Sequence, residues 1–289
     1  MAKRVLTASE SFELRQALHI AAIDALMSAR RWQPGQLVFQ GGTSLHLAHG
    51  SPRFSEDLDF LVDSTLPLGS LAQSVNDRLA GTRWIPDGTR IKVMPAKDGR
   101  NPHAFVVAIV GDDLLGSVRV KVELWQTDPN AISAVHVHVA TVGVARGPMS
   151  GVQAFVPAAD LHEIYADKVF ALAARSFLKP RDVFDLHWLE THAGIEECES
   201  DSLRVRLATY PNTTTNEWIE KAKSRLEMLP GSVALIASDL ARWLPSSWPL
   251  SEAHVAAMTA TAARALNQGI EVMSTIVAEH EPTTPGPSP

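Results

Sequence analysis

Residues 39–63 of this chain read FQGGTSLHLAHGSPRFSEDLDFLVD, and the rest of the sequence is organised around them. A short apolar run from Leu37 to Phe39 leads into the pair Gly41-Gly42, which predicts a strand that ends in a tight turn. Further along, two aspartates stand two positions apart in an otherwise apolar segment. Because residues i and i+2 of a strand point to the same face, this spacing predicts two neighbouring carboxylates opposite a buried apolar face.

The two aspartates are Asp57 and Asp59, and Leu58, Phe60 and Val62 are expected to face a core. Two adjacent carboxylates repel each other unless a cation lies between them. Paired carboxylates beside a Gly-rich turn therefore suit Mg²⁺-dependent phosphoryl transfer. The alternative interpretation is an acidic turn that begins an edge strand, and the Asp-x-Asp spacing alone does not separate the two.

Composition describes an ordinary globular chain and excludes several classes of protein. The 289 residues are 45% hydrophobic, which is enough for a sizeable core, and no apolar run approaches the ~20 residues of a membrane span. The single cysteine, Cys198, excludes an intrachain disulfide framework, and a signal-peptide core is lacking, so we expect a cytoplasmic protein. A net charge of -6 argues against non-specific coating of nucleic acid, but it allows one RNA to dock on a local basic patch.

The predicted elements form an α/β half followed by a helical half. In the first half we expect helices at 9–30, 44–49 and 66–79 and strands at 37–40, 57–63, 90–94, 105–110, 118–125 and 135–142. Ser9 or Ser11 is the expected cap of the first helix, and 135–142 is the expected last strand. Helices are then expected at 160–174, 181–192, 203–207, 216–229, 232–244 and 251–278. The predicted domains are 1–155 and 156–280, with a disordered tail at 281–289.

A third acid, Glu123, lies on the polar face of the strand predicted at 118–125, next to Lys121. Together with Asp57 and Asp59, it could converge on one or two Mg²⁺ ions that bridge nucleotide phosphates. The alternative interpretation is a solvated acid that is a partner for the strand neighbours of Lys121.

Four separated blocks of sequence carry a resemblance to a known family. They are Gly41 to Leu45, Arg53 to Phe60, Ala166 to Arg175 and Lys179 to Leu186. In order and spacing they resemble the AbiEii/AbiGii-type nucleotidyltransferase toxins, a group that includes the mycobacterial MenT-type toxins. Four blocks across residues 41–186 make this resemblance much more specific than one Asp-x-Asp pair.

The resemblance implies an α+β fold, with a polymerase-β-type nucleotidyltransferase mixed sheet followed by an α-helical domain that completes the active site. It implies an NTP as substrate and Mg²⁺, or Mn²⁺ in its place, as cofactor. The implied metal ligands are Asp57, Asp59 and Glu123. The implied nucleotide-binding residues are Gly42, Thr43, Ser44, Arg53, Ser55 and Lys168. Lys168 and Asp185 join the three acids as implied catalytic residues: Lys168 would neutralise triphosphate charge, and Asp185 would position Lys168 or help to activate the acceptor.

The residues of the helical half also allow plainer interpretations. Lys168 could be a surface lysine with a solvated ammonium group. Arg181 and Asp185 could form an i,i+4 ion pair within one helix, and Asp182 could simply stabilise the N-terminus of that helix.

The resemblance implies a toxin that transfers a nucleoside monophosphate to an acceptor hydroxyl, in a toxin–antitoxin or phage-defence system. The expected acceptor is a tRNA 3′ end, so that translation is blocked, and the expected protein partner is a cognate antitoxin. No membrane partner is expected, and the oligomeric state stays open. The alternatives are a protein NMPylating (AMPylating) enzyme of the same fold and a catalytically inert nucleotide-binding scaffold.

Overall fold

The structure is a computed structural model that describes residues 3–95, 101–210 and 213–280. It divides into two compact units, Met1–Asp160 and Leu161–Pro289. The predicted tail at 281–289 lies outside the described residues. Among the described residues, none of the helices combines the length and the apolar character that a bilayer crossing requires.

The first unit is built on a mixed β-sheet. Its described elements, in chain order, are α1 (Ala8–Ala29), β1 (Leu37–Gln40), α2 (Gly41–Leu47), β2 (Leu58–Asp63), α3 (Leu71–Leu79), β3 (Thr89–Pro95), β4 (His103–Gly111), β5 (Val118–Thr127), α4 (Pro129–Ser133), β6 (Val137–Gly143) and β7 (Gln153–Ala159). The strand order is β3-β4-β5-β2-β1-β7-β6. The pairs β2–β5 and β1–β7 are parallel and the others are antiparallel, so the predicted mixed sheet is confirmed.

The core of this unit lies between one face of the sheet and the helices α1 and α3. Leu58, Phe60 and Val62 of β2 are fully buried there, as their alternation predicts. The rings of Phe39 and Phe60 stack across β1 and β2 with centroids 5.0 Å apart. Each fully buried side chain of this size stabilises the fold by about 1.5–3 kcal/mol.

Several boundaries differ from the predicted ones for identifiable reasons. The first helix is capped by Thr7, which forms a capping box with Glu10, and not by Ser9 or Ser11. The expectation that 135–142 is the last strand is wrong, because β7 follows and pairs with both β6 and β1. Pro157 within β7 weakens the strand signal of that segment. The five-residue helix α4 was also missed, since it is too short to show a helical period.

The second unit is helical, as predicted. Its helices are α5 (Leu161–Ala174), α6 (Pro180–Ala193), α7 (Ser200–Thr209), α8 (Thr215–Met228), α9 (Val233–Leu240) and α10 (Glu252–His280), with a 3₁₀ turn at Pro230–Ser232. Helix α5 is the centre of this unit, because α6, α7, α8 and α10 all pack against it. Every residue of α5 from Glu163 to Ala173 is buried.

Two side chains of α8 hold α5 in place. Trp218 of α8 is fully buried and donates from Nε1 to the backbone oxygen of Phe170 at 3.0 Å. Arg225 donates to the backbone oxygens of Leu172 and Arg175 at 3.0 and 2.7 Å, which satisfies carbonyls at the end of α5. Gly269 lets α10 approach closely, since a Cβ there would lie 2.8 Å from the Trp218 ring.

Candidate functional site

Asp59 of β2 lies directly opposite Glu123 of β5 in a parallel strand pair. The residues that flank each acid are buried in the core, so the two acids lie on the other face of the sheet; these are Leu58 and Phe60 on β2 and Val122 and Leu124 on β5. Asp57 is exposed and precedes Asp59 by two residues, just ahead of β2. The fold therefore places Asp59 beside Glu123, with Asp57 just before the start of β2.

Lys121 is a cation that faces these acids. Its ammonium forms a close ion pair with Glu123. The hydrogen bond with Glu123 raises the pKa of Lys121, and the negative charges of Asp57 and Asp59 raise it further. Three carboxylates around one ammonium leave an excess of negative charge, which is the environment that a divalent cation needs. The i,i+2 spacing of Lys121 and Glu123 predicts that both lie on one face, and their ion pair agrees with that prediction.

The acids suit Mg²⁺ in donor type without forming a closed cage. Across residues 3–95, 101–210 and 213–280, no three His, Cys, Asp or Glu side chains are gathered as a metal site. Mg²⁺ usually takes one or two carboxylates and completes its shell with waters and phosphate oxygens. Asp57 and Asp59 supply the two carboxylates, and Glu123 forms an ion pair with Lys121.

The glycine pair begins helix α2 immediately beside Asp59. Gly41 has a φ of +79°, and a Cβ at this position would lie 2.7 Å from Oδ2 of Asp59. A Cβ on Gly42 would collide with Nη2 of Arg53 and lie 3.2 Å from Oγ of Ser55. The predicted turn is thus the first turn of a helix that was expected to begin only at Ser44, and its backbone packs directly on the acidic strand.

Thr43 and Ser44 are fully buried, and their hydroxyls hold the backbone of the site. Thr43 Oγ1 donates a short hydrogen bond to the backbone oxygen of Asp57, and Ser44 Oγ donates to that of Phe39 at 3.3 Å. A nucleotide-binding role for these two residues therefore has to come from their backbone groups. Their side chains instead fix the position of Asp57 relative to the glycine pair.

Arg53 is 2% exposed, so the charge expected at the nucleotide is held inside the loop between α2 and β2. Its Nη1 donates to the backbone oxygen of Phe54 at 2.9 Å, while Nη2 packs against Gly42. Ser55 is half-buried, and its hydroxyl lies close to the same glycine. Both residues thus border the glycine pair.

Two imidazoles and an amide secure this loop, and of the three only His46 stands out in the sequence, because it lies close to the glycine pair. His19 of α1 is fully buried and donates from Nε2 to the backbone oxygen of Glu56 at 2.9 Å. His46 of α2 donates from Nδ1 to the backbone oxygen of Ser51 at 2.6 Å. The amide of Gln16 lies between them, 2.9 Å from His46 Nε2 and 3.3 Å from His19 Nδ1. Burial lowers the pKa of His46, and it lowers the pKa of His19 to about 4.

In the second unit, Lys168 of α5 is buried against two aspartates of α6. Its Nζ lies 2.7 Å from Oδ1 of Asp182 and 2.8 Å from Oδ2 of Asp185. Lys168 is 5% exposed, and neither aspartate is accessible. The interpretation of Lys168 as a solvated surface lysine is therefore wrong.

Asp182 has a larger part in this cluster than the stabilisation of a helix terminus. Burial alone would raise the pKa of Asp182, but Lys168, Arg175 and Lys179 hold it well below its usual range. The Nε of Arg175 lies 3.4 Å from Oδ2 of Asp182. Lys168 and Arg175 thus form ion pairs with the buried carboxylates, which buried charges require. The sequence feature that points to this cluster is the Arg-Asp-Val-Phe-Asp motif at 181–185, which contains both aspartates.

Solved structures share this fold. A candidate nucleotidyltransferase from H. pylori matches with a TM-score of 0.52 at 20% identity, over 94% of this chain and 99% of that chain. JHP933 from Helicobacter pylori matches with a TM-score of 0.53 at 19% identity, over 96% of this chain and 100% of that chain. MenT4, a nucleotidyltransferase toxin from Mycobacterium tuberculosis, matches with a TM-score of 0.54 at 15% identity, over 92% of this chain and 85% of that chain. At such identities the likeness shows the fold alone.

The family is shown by the sequence itself. A comparison with curated proteins gave no significant match. The family model for the nucleotidyl transferase AbiEii toxin of type IV toxin–antitoxin systems, however, matches residues 26–242, well over half of the 289 residues. That range contains the glycine pair, the three acids of the sheet and the buried Lys168 cluster. The chain therefore belongs to the AbiEii family of nucleotidyl transferase toxins.

Proposed function

We propose that this nucleotidyltransferase transfers a nucleoside monophosphate from an NTP to the 3′ end of a tRNA in the cytoplasm, releasing pyrophosphate and blocking translation. A cognate antitoxin would counter it, in a toxin–antitoxin or phage-defence setting. The observation that carries the proposal is the opposed pair Asp59 and Glu123, with the backbone of Gly41 packed on Asp59. This arrangement puts the carboxylates directly beside the backbone of the glycine pair.

The acids of the sheet would hold the metal. Asp57 and Asp59 would ligate Mg²⁺, or Mn²⁺ in its place, and Glu123 would be available as a third ligand once it separates from Lys121. A bound divalent cation supplies charge neutralisation at the phosphates during transfer. Thr43 supports this role, because its hydroxyl fixes the backbone at Asp57.

The glycine pair and the loop after α2 would bind the nucleotide. Because Gly42 has no Cβ, Nη2 of Arg53 can lie directly beside the backbone of the turn. The backbone of Thr43 and Ser44 continues the same turn. The hydroxyl of Ser55 lies beside Gly42. Arg53 would add positive charge at that point, held rigidly by its burial.

Lys168 and Asp185 belong to the proposal through the family motif that they match. Lys168 would neutralise charge on the triphosphate, and Asp185 would either position Lys168 or help to activate the acceptor. The 2.8 Å contact between them supports the positioning role. Phosphoryl transfer depends on charge neutralisation and alignment more than on covalent catalysis, so a fixed cation is useful there.

Labelled nucleotides test the proposal directly. Purified protein is incubated with total tRNA, Mg²⁺ and each NTP labelled on its α-phosphate in turn. We expect label in RNA with the wild type and none with Asp57→Asn or Asp59→Asn. Asp112→Asn is the matched control, because that carboxylate is 95% exposed at the far end of the same sheet.

The other outcomes of this experiment distinguish the alternative functions. Label in protein would favour NMPylation, and no label together with no calorimetric NTP binding would favour an inert scaffold. Growth inhibition in cells that survives both Asp57→Asn and Asp59→Asn would overturn the assignment of the metal ligands.

A further inference from the structure

The segment that joins α5 to α6 exposes an aromatic ring among cations. Residues 175–181 read RSFLKPR, so that Arg175, Lys179 and Arg181 all lie within four positions of Phe177. Phe177 is 62% exposed, although an apolar ring of this size normally finds cover in a folded chain. The ring and the cations together form a surface that we call the α5–α6 surface.

The cations at this surface crowd one another. Burial lowers the pKa of Lys179 to about 8, and the positive charges of Lys168, Arg175 and Arg181 contribute to that shift against the opposing effect of Asp182. The cluster comprises the cations Lys168, Arg175, Lys179 and Arg181 and the carboxylates Asp182 and Asp185. Positive charge is therefore in excess here, although the whole chain carries -6. An anion at this surface would relieve the repulsion.

Arg181 is held in place by a second aromatic residue. Its guanidinium carbon lies 4.3 Å from the centroid of the Trp243 ring, within the range of a cation–π contact. Trp243 is half-buried, so this contact anchors the arginine at the first turn of α6. The charge at this edge of the surface is thereby pre-positioned.

We infer that the α5–α6 surface binds single-stranded RNA, with Phe177 stacked on a base and Lys179 and Arg181 at the phosphates. The inference rests on the proposed function, since it names the place where the RNA acceptor is held. Proteins that bind single strands combine cations along the backbone with aromatic rings on which bases stack. An acidic peptide would use the cations but would leave Phe177 without a partner, so the combination favours RNA.

Binding of RNA in the absence of NTP tests the inference. The probe is a fluorescent single-stranded RNA of about ten nucleotides, and its anisotropy is followed as protein is added. Phe177→Ala should weaken binding about tenfold, and Phe177→Trp should restore it, because any aromatic ring can stack on a base. Lys179→Gln should lower the slope of log affinity against log salt by about 0.7, as expected for one lost phosphate contact to a single strand.

Phe155→Ala is the matched control. Phe155 is also 62% exposed, but it lies on β7 of the first unit. The Phe155→Ala variant should bind the RNA with the affinity of the wild type. The inference is overturned if Phe177→Ala binds normally, if Phe155→Ala loses as much affinity, or if the wild type prefers a poly-glutamate peptide to the RNA.

The result separates this inference from the proposed function. If Phe177→Ala still binds RNA while Asp59→Asn abolishes transfer, the binding surface is wrong and the proposed function stands. If Asp59→Asn still transfers nucleotide while Phe177→Ala loses RNA binding, the binding surface stands and the proposed metal ligand is wrong.

Discussion

Asp59 and Glu123 occupy opposed positions on the parallel strands β2 and β5, and Lys121 lies beside them in an ion pair with Glu123. The relationship has a direct consequence for cation binding. An ammonium among three carboxylates both lowers their repulsion and competes with any divalent ion for the same oxygens.

Replacement of Lys121 by methionine should therefore tighten the binding of Mg²⁺ or Mn²⁺. We expect an affinity gain of about tenfold, because the competing charge is removed while the acids stay in place. Calorimetric titration of Mn²⁺ without nucleotide measures it. Arg119→Met is the control, since Arg119 lies two residues earlier on the same face and its Nε donates to Ser117. A weaker or unchanged affinity for Lys121→Met would show that this lysine does not oppose the cation.

Gly41 and Gly50 provide a matched pair for the glycine argument. Both have a φ of +79°, but a Cβ at Gly50 meets nothing within 4 Å, whereas a Cβ at Gly41 meets Asp59. Alanine at either position should cost about 1–2 kcal/mol of unfolding free energy through backbone strain. Gly41→Ala should cost more and should also abolish nucleotide transfer, while Gly50→Ala should remain active. Urea unfolding and the labelling assay measure both effects, and equal losses at the two positions would remove the special role of Gly41.

Local patterns predicted the faces of the strands but not their partners. The alternation along β5 placed Glu123 opposite the buried Val122 and Leu124, and the burial of those residues agrees. The register that puts Glu123 beside Asp59 depends on two segments more than sixty residues apart, which no periodic pattern contains. The residue types alone suggested that the acids could converge on a cation, and the family resemblance gave them the same role.

Tertiary contacts explain the features that were missed. A lysine in a helical pattern is expected to be exposed. Lys168 is instead buried, because Asp182 and Asp185 of the next helix surround its ammonium group. His19 reads as a polar interruption in the apolar face of α1, and its partner is a backbone oxygen of a distant loop. In both cases the side chain is buried because it has a polar partner far away in the sequence, and the local sequence does not show which residue that partner is.

Lys168→Met should destabilise the second unit strongly. It leaves two buried carboxylates without their shared cation, which costs about 3–5 kcal/mol in unfolding free energy. Lys223→Met is the control, because Lys223 pairs with Glu220 at the surface of α8 and should change stability by under ~1 kcal/mol. Chemical denaturation monitored by tryptophan fluorescence measures both. A similar small effect for the two variants would contradict the buried-cluster assignment.

His19 should make the first unit sensitive to acid. Its pKa is lowered by burial to about 4, below the ordinary 6.5, so the folded state holds the imidazole neutral. The unfolded chain takes up a proton at a higher pH than the fold does. The stabilising contribution of neutral His19 is therefore fully present above about pH 6.5 and is lost as the pH falls toward 4.

The loss at His19 should reach about 3 kcal/mol at the acid end of that window. His19→Gln, which cannot titrate, should flatten the dependence of unfolding free energy on pH between about 6.5 and 4, whereas His103→Gln of β4 should keep it. Because His19 secures the backbone at Glu56, one residue before Asp57, the same variant should also lower nucleotide transfer at neutral pH. Urea unfolding at several pH values and the labelling assay measure the two effects. A pH profile that His19→Gln leaves unchanged would show that this imidazole is not the acid-sensitive group.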